Sequence, residues 1–139
     1  MSVKEMFCIT TGFISSFVLT FFGGWDLALS TLVWCIAIDY LTGLIVAGVF
    51  KKSKKTKTGT LSSYVSWKGL CRKFVTIIFV GFAHRLDLFM GTNILKDAVA
   101  ISFIVNEVIS ICENVGLMGI PIPQSLKKAI EVLKQKEGE

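Results

Sequence analysis

The sequence predicts an all-α integral membrane protein: four transmembrane helices, with three as the competing count, followed by a short amphipathic helix. Three observations lead there. Hydrophobic residues make up 53% of the 139 residues and charged residues 18%, with a mean hydropathy of +0.66. A soluble domain this small could not bury so much apolar surface. The apolar residues fall into runs near 6–22, 27–50, 74–90 and 99–117, lengths suited to a hydrocarbon core about 30 Å thick. Between the second and third runs, segment 51–73 holds Lys51, Lys52, Lys54, Lys55, Lys57, Lys68, Arg72 and Lys73 and no acid. A loop this basic stays on the cytoplasmic side, where anionic lipid meets it. Four spans then place both termini in the cytoplasm.

The length fits one domain, 1–139. The net charge of +5 is concentrated in the central loop and the C-terminal tail, both beside apolar runs, so lipid headgroups rather than nucleic acid are the expected counter-charge. Cys8, Cys35, Cys71 and Cys112 stand singly, without CxxC or Cys/His spacing, and read as free thiols.

The first run, 6–22, has no ionisable residue, and Gly12, Ser15 and Ser16 give it a small-residue face. Gly23-Gly24-Trp25-Asp26 follows without a small-x-small cleavage site, so the run reads as a retained span. In the second run, 27–50, Asp39 lies near the middle. Its dozen Leu, Ile, Val and Phe residues, at about −0.5 kcal/mol each, outweigh the ~3 kcal/mol of one central acid. Gly43 and Ala47 form a small-xxx-small pair for close helix contact.

Trp67 and Lys68 suit the headgroup level before the third run, 74–90, which is apolar to Ala83 and then carries His84, Arg85 and Asp87. That end must reach water or pair its charges, and His84 with Asp87 is a modest i,i+3 pair. No second metal ligand stands at helical spacing from His84.

The fourth run, 99–117, is the most informative. Ser102, Asn106, Glu107, Ser110, Glu113 and Asn114 recur at spacings that gather them into one stripe of a helix. About ten apolar residues contribute on the order of −5 kcal/mol to insertion, while two central charged glutamates cost up to about +6 kcal/mol. Alone, this helix is marginal. Two arrangements relieve it: a buried polar seam that holds one bundle together, or a stripe lining a water-filled opening. Gly116, Gly119, Pro121 and Pro123 end the run. The tail, 124–139, begins as an amphipathic helix with Leu126, Ala129, Ile130 and Leu133 on one side and lysines elsewhere, suited to the inner membrane surface.

No Gly-rich phosphate loop, metal-ligand cluster or nucleophile–base pair is present, so neither an enzyme nor a cofactor is expected. Intramembrane polarity remains, which marks a pathway or an association surface.

Trp25-Asp26, Asp39-Tyr40-x-Thr42-Gly43, Lys68-Gly69-x-x-Arg72-Lys73, Asn106-Glu107-x-x-Ser110-x-x-Glu113-Asn114-x-Gly116 and Gly119-x-Pro121-x-Pro123 together resemble the phage-lysis and toxin-secretion holins of Gram-positive bacteria and their phages (phage holin family 4). The resemblance covers roughly residues 25–133 and leaves the first span outside its motifs. It implies a protein of the bacterial cytoplasmic membrane that homo-oligomerises and, at a set time, opens lesions through which a cell-wall hydrolase or a toxin leaves. The hydrophilic face of that oligomer would come from the fourth helices, with Asp39 as a second polar contact. A small four-span transporter or proton-coupled exporter with a buried acid, and a membrane adaptor acting through the basic loop, are the rival classes.

Overall fold

A computed structural model describes residues 1–137, which form α1 (Val3–Phe22), α2 (Leu27–Phe50), α3 (Ser63–Met90), α4 (Leu95–Leu117) and α5 (Gln124–Glu137). Residues 138–139 of the expected tail lie outside the described residues.

Each boundary has a local cause. Ser2 and Glu5 form a capping box on α1, with the Ser2 hydroxyl accepting from the Glu5 amide at 3.2 Å and the Glu5 carboxylate from the Ser2 amide at 2.9 Å. Gly23, at φ 74°, ends the helix in the left-handed region. Asp26 caps α2 by accepting from the Leu29 amide at 2.8 Å. The last turn of α2, Val46–Phe50, widens to i→i+5 hydrogen bonding, and the chain leaves it through Lys51 at φ 54°. Within the apolar helices the hydroxyls of Thr10, Thr11, Thr20, Thr42 and Thr76 each donate to the carbonyl four residues back, so none is left bare in lipid.

The structure draws the basic segment differently from its expected limits. The coil ends at Ser62, whose hydroxyl accepts from the Val65 amide, and α3 begins at Ser63. Lys68, Arg72 and Lys73 therefore stand on a helix rather than in the loop. The Ser/Thr/Gly-rich composition reads as coil, but Tyr64 to Leu70 carries enough apolar surface to extend α3 by about three turns. α4 also begins earlier than expected. Asp87, at the end of α3, accepts from the Leu95 and Lys96 amides at 3.0 and 2.8 Å and from the Thr92 hydroxyl at 2.6 Å. A carboxylate borrowed from the preceding helix thus caps α4 in place of an adjacent residue, and Asp87 faces α4 rather than pairing with His84.

Three helices are long and apolar enough to cross a membrane: α1, α2 and α4. α3 is longer than any of them, but its apolar centre is bounded by Lys68, Arg72 and Lys73 on one side and Arg85 and Asp87 on the other. α2 and α4 make the most extensive contact, α3 packs on α4, on α1 and more lightly on α2, and α5 folds back on α4. At the α1–α3 crossing Gly81 is buried under the Phe21 ring, and a Cβ there would lie 2.0 Å from it. The core, Phe22, Leu29, Leu32, Ile36, Val80, Ala100 and Ile104, fills the half of the bundle away from the basic loop. α1 is almost wholly exposed along its length.

Candidate functional site

The other half of the bundle is polar inside. Asp39 lies about 18 Å along α2 from Leu27, and Glu107 about 18 Å along α4 from Leu95, taking 1.5 Å per residue. Both are therefore near mid-height, and between them α3 inserts Lys73. Its ammonium donates to an Asp39 carboxylate oxygen and, at 2.7 Å, to Glu107 Oε2. Asp39 is 3% exposed. Its other oxygen accepts from Asn114 Nδ2 at 3.0 Å, and the same amide reaches the Asp39 carbonyl at 3.2 Å and the Thr42 hydroxyl at 2.9 Å. Three helices are thus joined by one network. Burying such charges costs several kcal/mol per ion unless they are paired and their remaining hydrogen-bonding positions are filled. Here one cation serves two anions.

The expected stripe on α4 divides. At about 100° per residue, Ser102, Glu113 and Asn106 lie within 40° of one another, and Ser110, Asn114 and Glu107 continue the arc to about 140°. Glu107 and Asn114 turn inward to Lys73 and Asp39, and Ser110 is half-buried beside them. Ser102 is half-buried, while Asn106 and Glu113 are exposed. Asn106 and Ser102 make no side-chain hydrogen bond among the described residues. Gly43 keeps α2 close to Asn114, whose Nδ2 would sit 3.7 Å from a Cβ at that position, and Ala47 is buried one turn on.

A cavity of about 110 Å³ opens beside the basic loop and reaches down to this network. Lys54, Lys55 and Ser62 stand at its outer part, Ser66, Gly69, Gly43 and Glu113 along its walls, and Asp39, Lys73 and Ser110 at its inner end. Lys51, Lys52, Lys54, Lys55 and Lys57 are exposed, as are Lys68 and Arg72 on the first turns of α3.

A second ionic contact closes the opposite end. Lys96, buried on α4, donates to the Phe22 carbonyl at 2.6 Å and to Asp26 Oδ2 at 2.8 Å, tying the α1–α2 turn to α4. Burial pushes the Asp26 carboxyl up, but the Lys96 ammonium and the Leu29 amide outweigh it and hold the group below the usual carboxylate range.

Lys96 is a functional side chain that the sequence left unassigned, and Lys73, expected in the basic loop facing lipid, instead turns inward to Asp39 and Glu107. The available signal was a charge balance: Asp39 and Glu107 near mid-span need a cation at the same depth, and Lys73 opens the neighbouring apolar run.

Membrane-length apolar helices that turn their outer faces to lipid and their charges toward one another define a small multi-span membrane bundle with an internal ionic seam. Comparison with known proteins identifies the family. Residues 16–135 match the bacteriophage holin family, and the chain belongs to it. A probable holin of Bacillus phage phi105 is 33% identical over 98 residues, covering 70% of this chain and 67% of its own. An uncharacterised protein of Listeria monocytogenes is 40% identical over 119 residues, covering 85% and 79%. An uncharacterised 14.9 kDa protein from the nagH 3' region of Clostridium perfringens is 36% identical over 118 residues, covering 84% and 83%. No solved structure matches.

Proposed function

We propose that this chain is a four-span, non-enzymatic holin of the bacterial cytoplasmic membrane. The basic loop and both termini lie inside, copies associate, and the assembly opens lesions through which a cell-wall hydrolase or a toxin leaves the cell. Membership of the holin family supports the lesion-forming role. The observation that carries the physical mechanism is the division of the α4 stripe. Its inner edge, Glu107, Ser110 and Asn114, is satisfied or sheltered within the protomer, whereas Ser102 and Asn106 form an outer edge open to a second copy, and the exposed Glu113 stands at the cavity wall between the two. Polar side chains facing hydrocarbon gain by meeting their counterparts on another helix, typically by about 0.6–2 kcal/mol each.

The count of four rests on α3. A helix of 28 residues is about 42 Å long, more than the hydrocarbon core requires. Its Lys73 meets Asp39 and Glu107 at the mid-height of α2 and α4, a depth that a helix lying on the membrane surface would not reach. Lys51, Lys52, Lys54, Lys55 and Lys57, with Lys68 and Arg72, then face anionic headgroups of the inner leaflet, together with Lys127, Lys128, Lys134 and Lys136 of α5.

Co-expression with a cytoplasmic cell-wall hydrolase tests this reading. Lysis is expected only with both genes present. The double variant Ser102→Leu, Asn106→Leu is expected to reach the membrane at wild-type level and fail to lyse. Wild-type lysis by that variant would remove the outer edge from the mechanism. Vesicles loaded with a folded reporter protein separate a lesion from a transporter, which would retain the reporter.

A further inference from the structure

We propose that the cavity is an aqueous half-channel: it admits water and protons from the basic-loop face to a proton site on the Asp39–Glu107 carboxyl pair, and an apolar plug closes it beyond that point. This goes beyond lesion formation, because the path lies inside one protomer and requires no second copy.

Size, charge and the location of the apolar core carry the inference. The cavity of about 110 Å³ holds several water molecules at ~30 Å³ each, and its walls offer the hydroxyl, amide and carboxylate partners that such water needs. The inner end carries an unbalanced charge. Asp39 comes from α2, Lys73 from α3 and Glu107 from α4, so two carboxylates share one ammonium. Around them stand the Cys35 thiol and Tyr40 on α2, Glu113 on α4, and Lys54 and Lys55 at the mouth. One negative charge remains at mid-membrane, where a proton entering from the bulk as hydronium and relayed through cavity water neutralises it by settling on a carboxylate oxygen of the pair, leaving neutral water behind. No other reactant is needed. Beyond the pair the character of the interior changes. Leu29, Leu32, Ile36, Val80 and Ile104 are each at most 8% exposed. From Ile36 to Leu29 this apolar length is about 10 Å along α2. The buried side chains that fill this length are hydrocarbon, with Ser30, Thr31 and Cys35 at its margin, so no continuous chain of polar groups crosses it.

Thiol accessibility tests the proposal on the full chain in phosphatidylethanolamine–phosphatidylglycerol vesicles, with Cys8, Cys35, Cys71 and Cys112 replaced by Ala. Single cysteines are placed by Thr56→Cys in the loop, by Gly43→Cys and Ser110→Cys in the cavity, and by Ile104→Cys in the plug. Gly43 accepts a side chain at ordinary contact distance, so two independent inner positions are available. A membrane-impermeant charged methanethiosulfonate is expected to label both inner cysteines from the side that labels Thr56→Cys and not from the other. Ile104→Cys is expected to label from neither. Inner cysteines that stay unlabelled while Thr56→Cys reacts, or that react from the opposite side, overturn the half-channel. Wetting the plug by Leu32→Asn with Ile36→Asn is expected to let protons cross, as read by an entrapped pH dye. Modifying Gly43→Cys in that background should abolish the leak; a leak indifferent to the modification places the route elsewhere and overturns the proposal.

Discussion

Lys73→Met puts the seam to its most direct test. Methionine keeps the length and apolar stem of lysine but removes the one cation that both carboxylates share. Asp39, at 3% exposure, retains Asn114 as its side-chain donor, and Glu107 loses the only side-chain hydrogen bond it makes among the described residues. Removing one partner from a buried ionic set characteristically destabilises by about 3–5 kcal/mol, because the remaining charge is left uncompensated. The 13% exposure of the Glu107 side chain tempers this figure by leaving part of the stranded charge to solvent; about 3 kcal/mol is the expected loss. Replacing the whole set, Lys73→Met with Asp39→Asn and Glu107→Gln, should recover most of it, because a neutral seam strands no ion. The assay is SDS titration of the detergent-solubilised protein, followed by the fluorescence of Trp25, Trp34 and Trp67. A loss below about 1 kcal/mol for Lys73→Met, or a triple variant no more stable than the single, would refute the claim that these three residues form one electrostatic unit.

Three further outcomes follow from other contacts. Gly81→Leu drives a side chain into the Phe21 ring, and overpacking of this kind costs about 1–3 kcal/mol; adding Phe21→Ala should restore most of the loss in the same SDS titration. The Asp26 carboxyl is held below its usual range, so its contribution is complete above the unfolded value near 3.9 and disappears as pH falls through the lowered one. Accordingly, wild type should exceed Asp26→Asn in stability at neutral pH and lose that advantage in acid. The margin is about 1 kcal/mol or less, because the side chain is 44% exposed and well screened. Asp87→Ala removes the borrowed cap of α4 and should cost about 1–2 kcal/mol, with faster amide exchange at Leu95 and Lys96 as the local sign.

The sequence revealed the helices better than it revealed which way they turn. The apolar runs located α1, α2 and α4, since membrane-length hydrophobicity is a property of each segment alone. Asp39 and the α4 stripe were visible for the same reason: an acid within an apolar run, and a 3.6-residue period, require no neighbour to be seen. The role of Lys73 was hidden because it belongs to two descriptions at once. It ends a basic cluster, and it begins an apolar helix; only the packing of α3 between α2 and α4 selects the second. Lys96 was hidden similarly, as its partners, the Phe22 carbonyl and Asp26, lie 74 and 70 residues away. Whether the stripe formed a seam or a lining was open in the sequence, and its two edges face different surroundings.

That division bears on how a lesion-forming protein accumulates without acting. If every polar residue of α4 faced lipid, a protomer would be unstable alone, and association would follow as soon as two copies met. The inner edge instead finds its partner in Lys73 of the same chain, so insertion of the marginal α4 is completed by α3 rather than by a second molecule. What remains for association is the outer edge, Ser102 and Asn106, with a drive of a few kcal/mol at most on the scale of polar contacts in lipid. On the proposed reading, a weak drive makes assembly a matter of concentration: each 1.4 kcal/mol removed from the contact raises the required density about tenfold. Asn106→Leu alone should therefore delay lysis at fixed expression and be compensated by higher expression, whereas Lys73→Met should lower the amount of folded protein and not be compensated in that way. Immunoblotting of the membrane fraction alongside lysis timing distinguishes the two, and equal behaviour of the variants would show that inner and outer edges do not act separately.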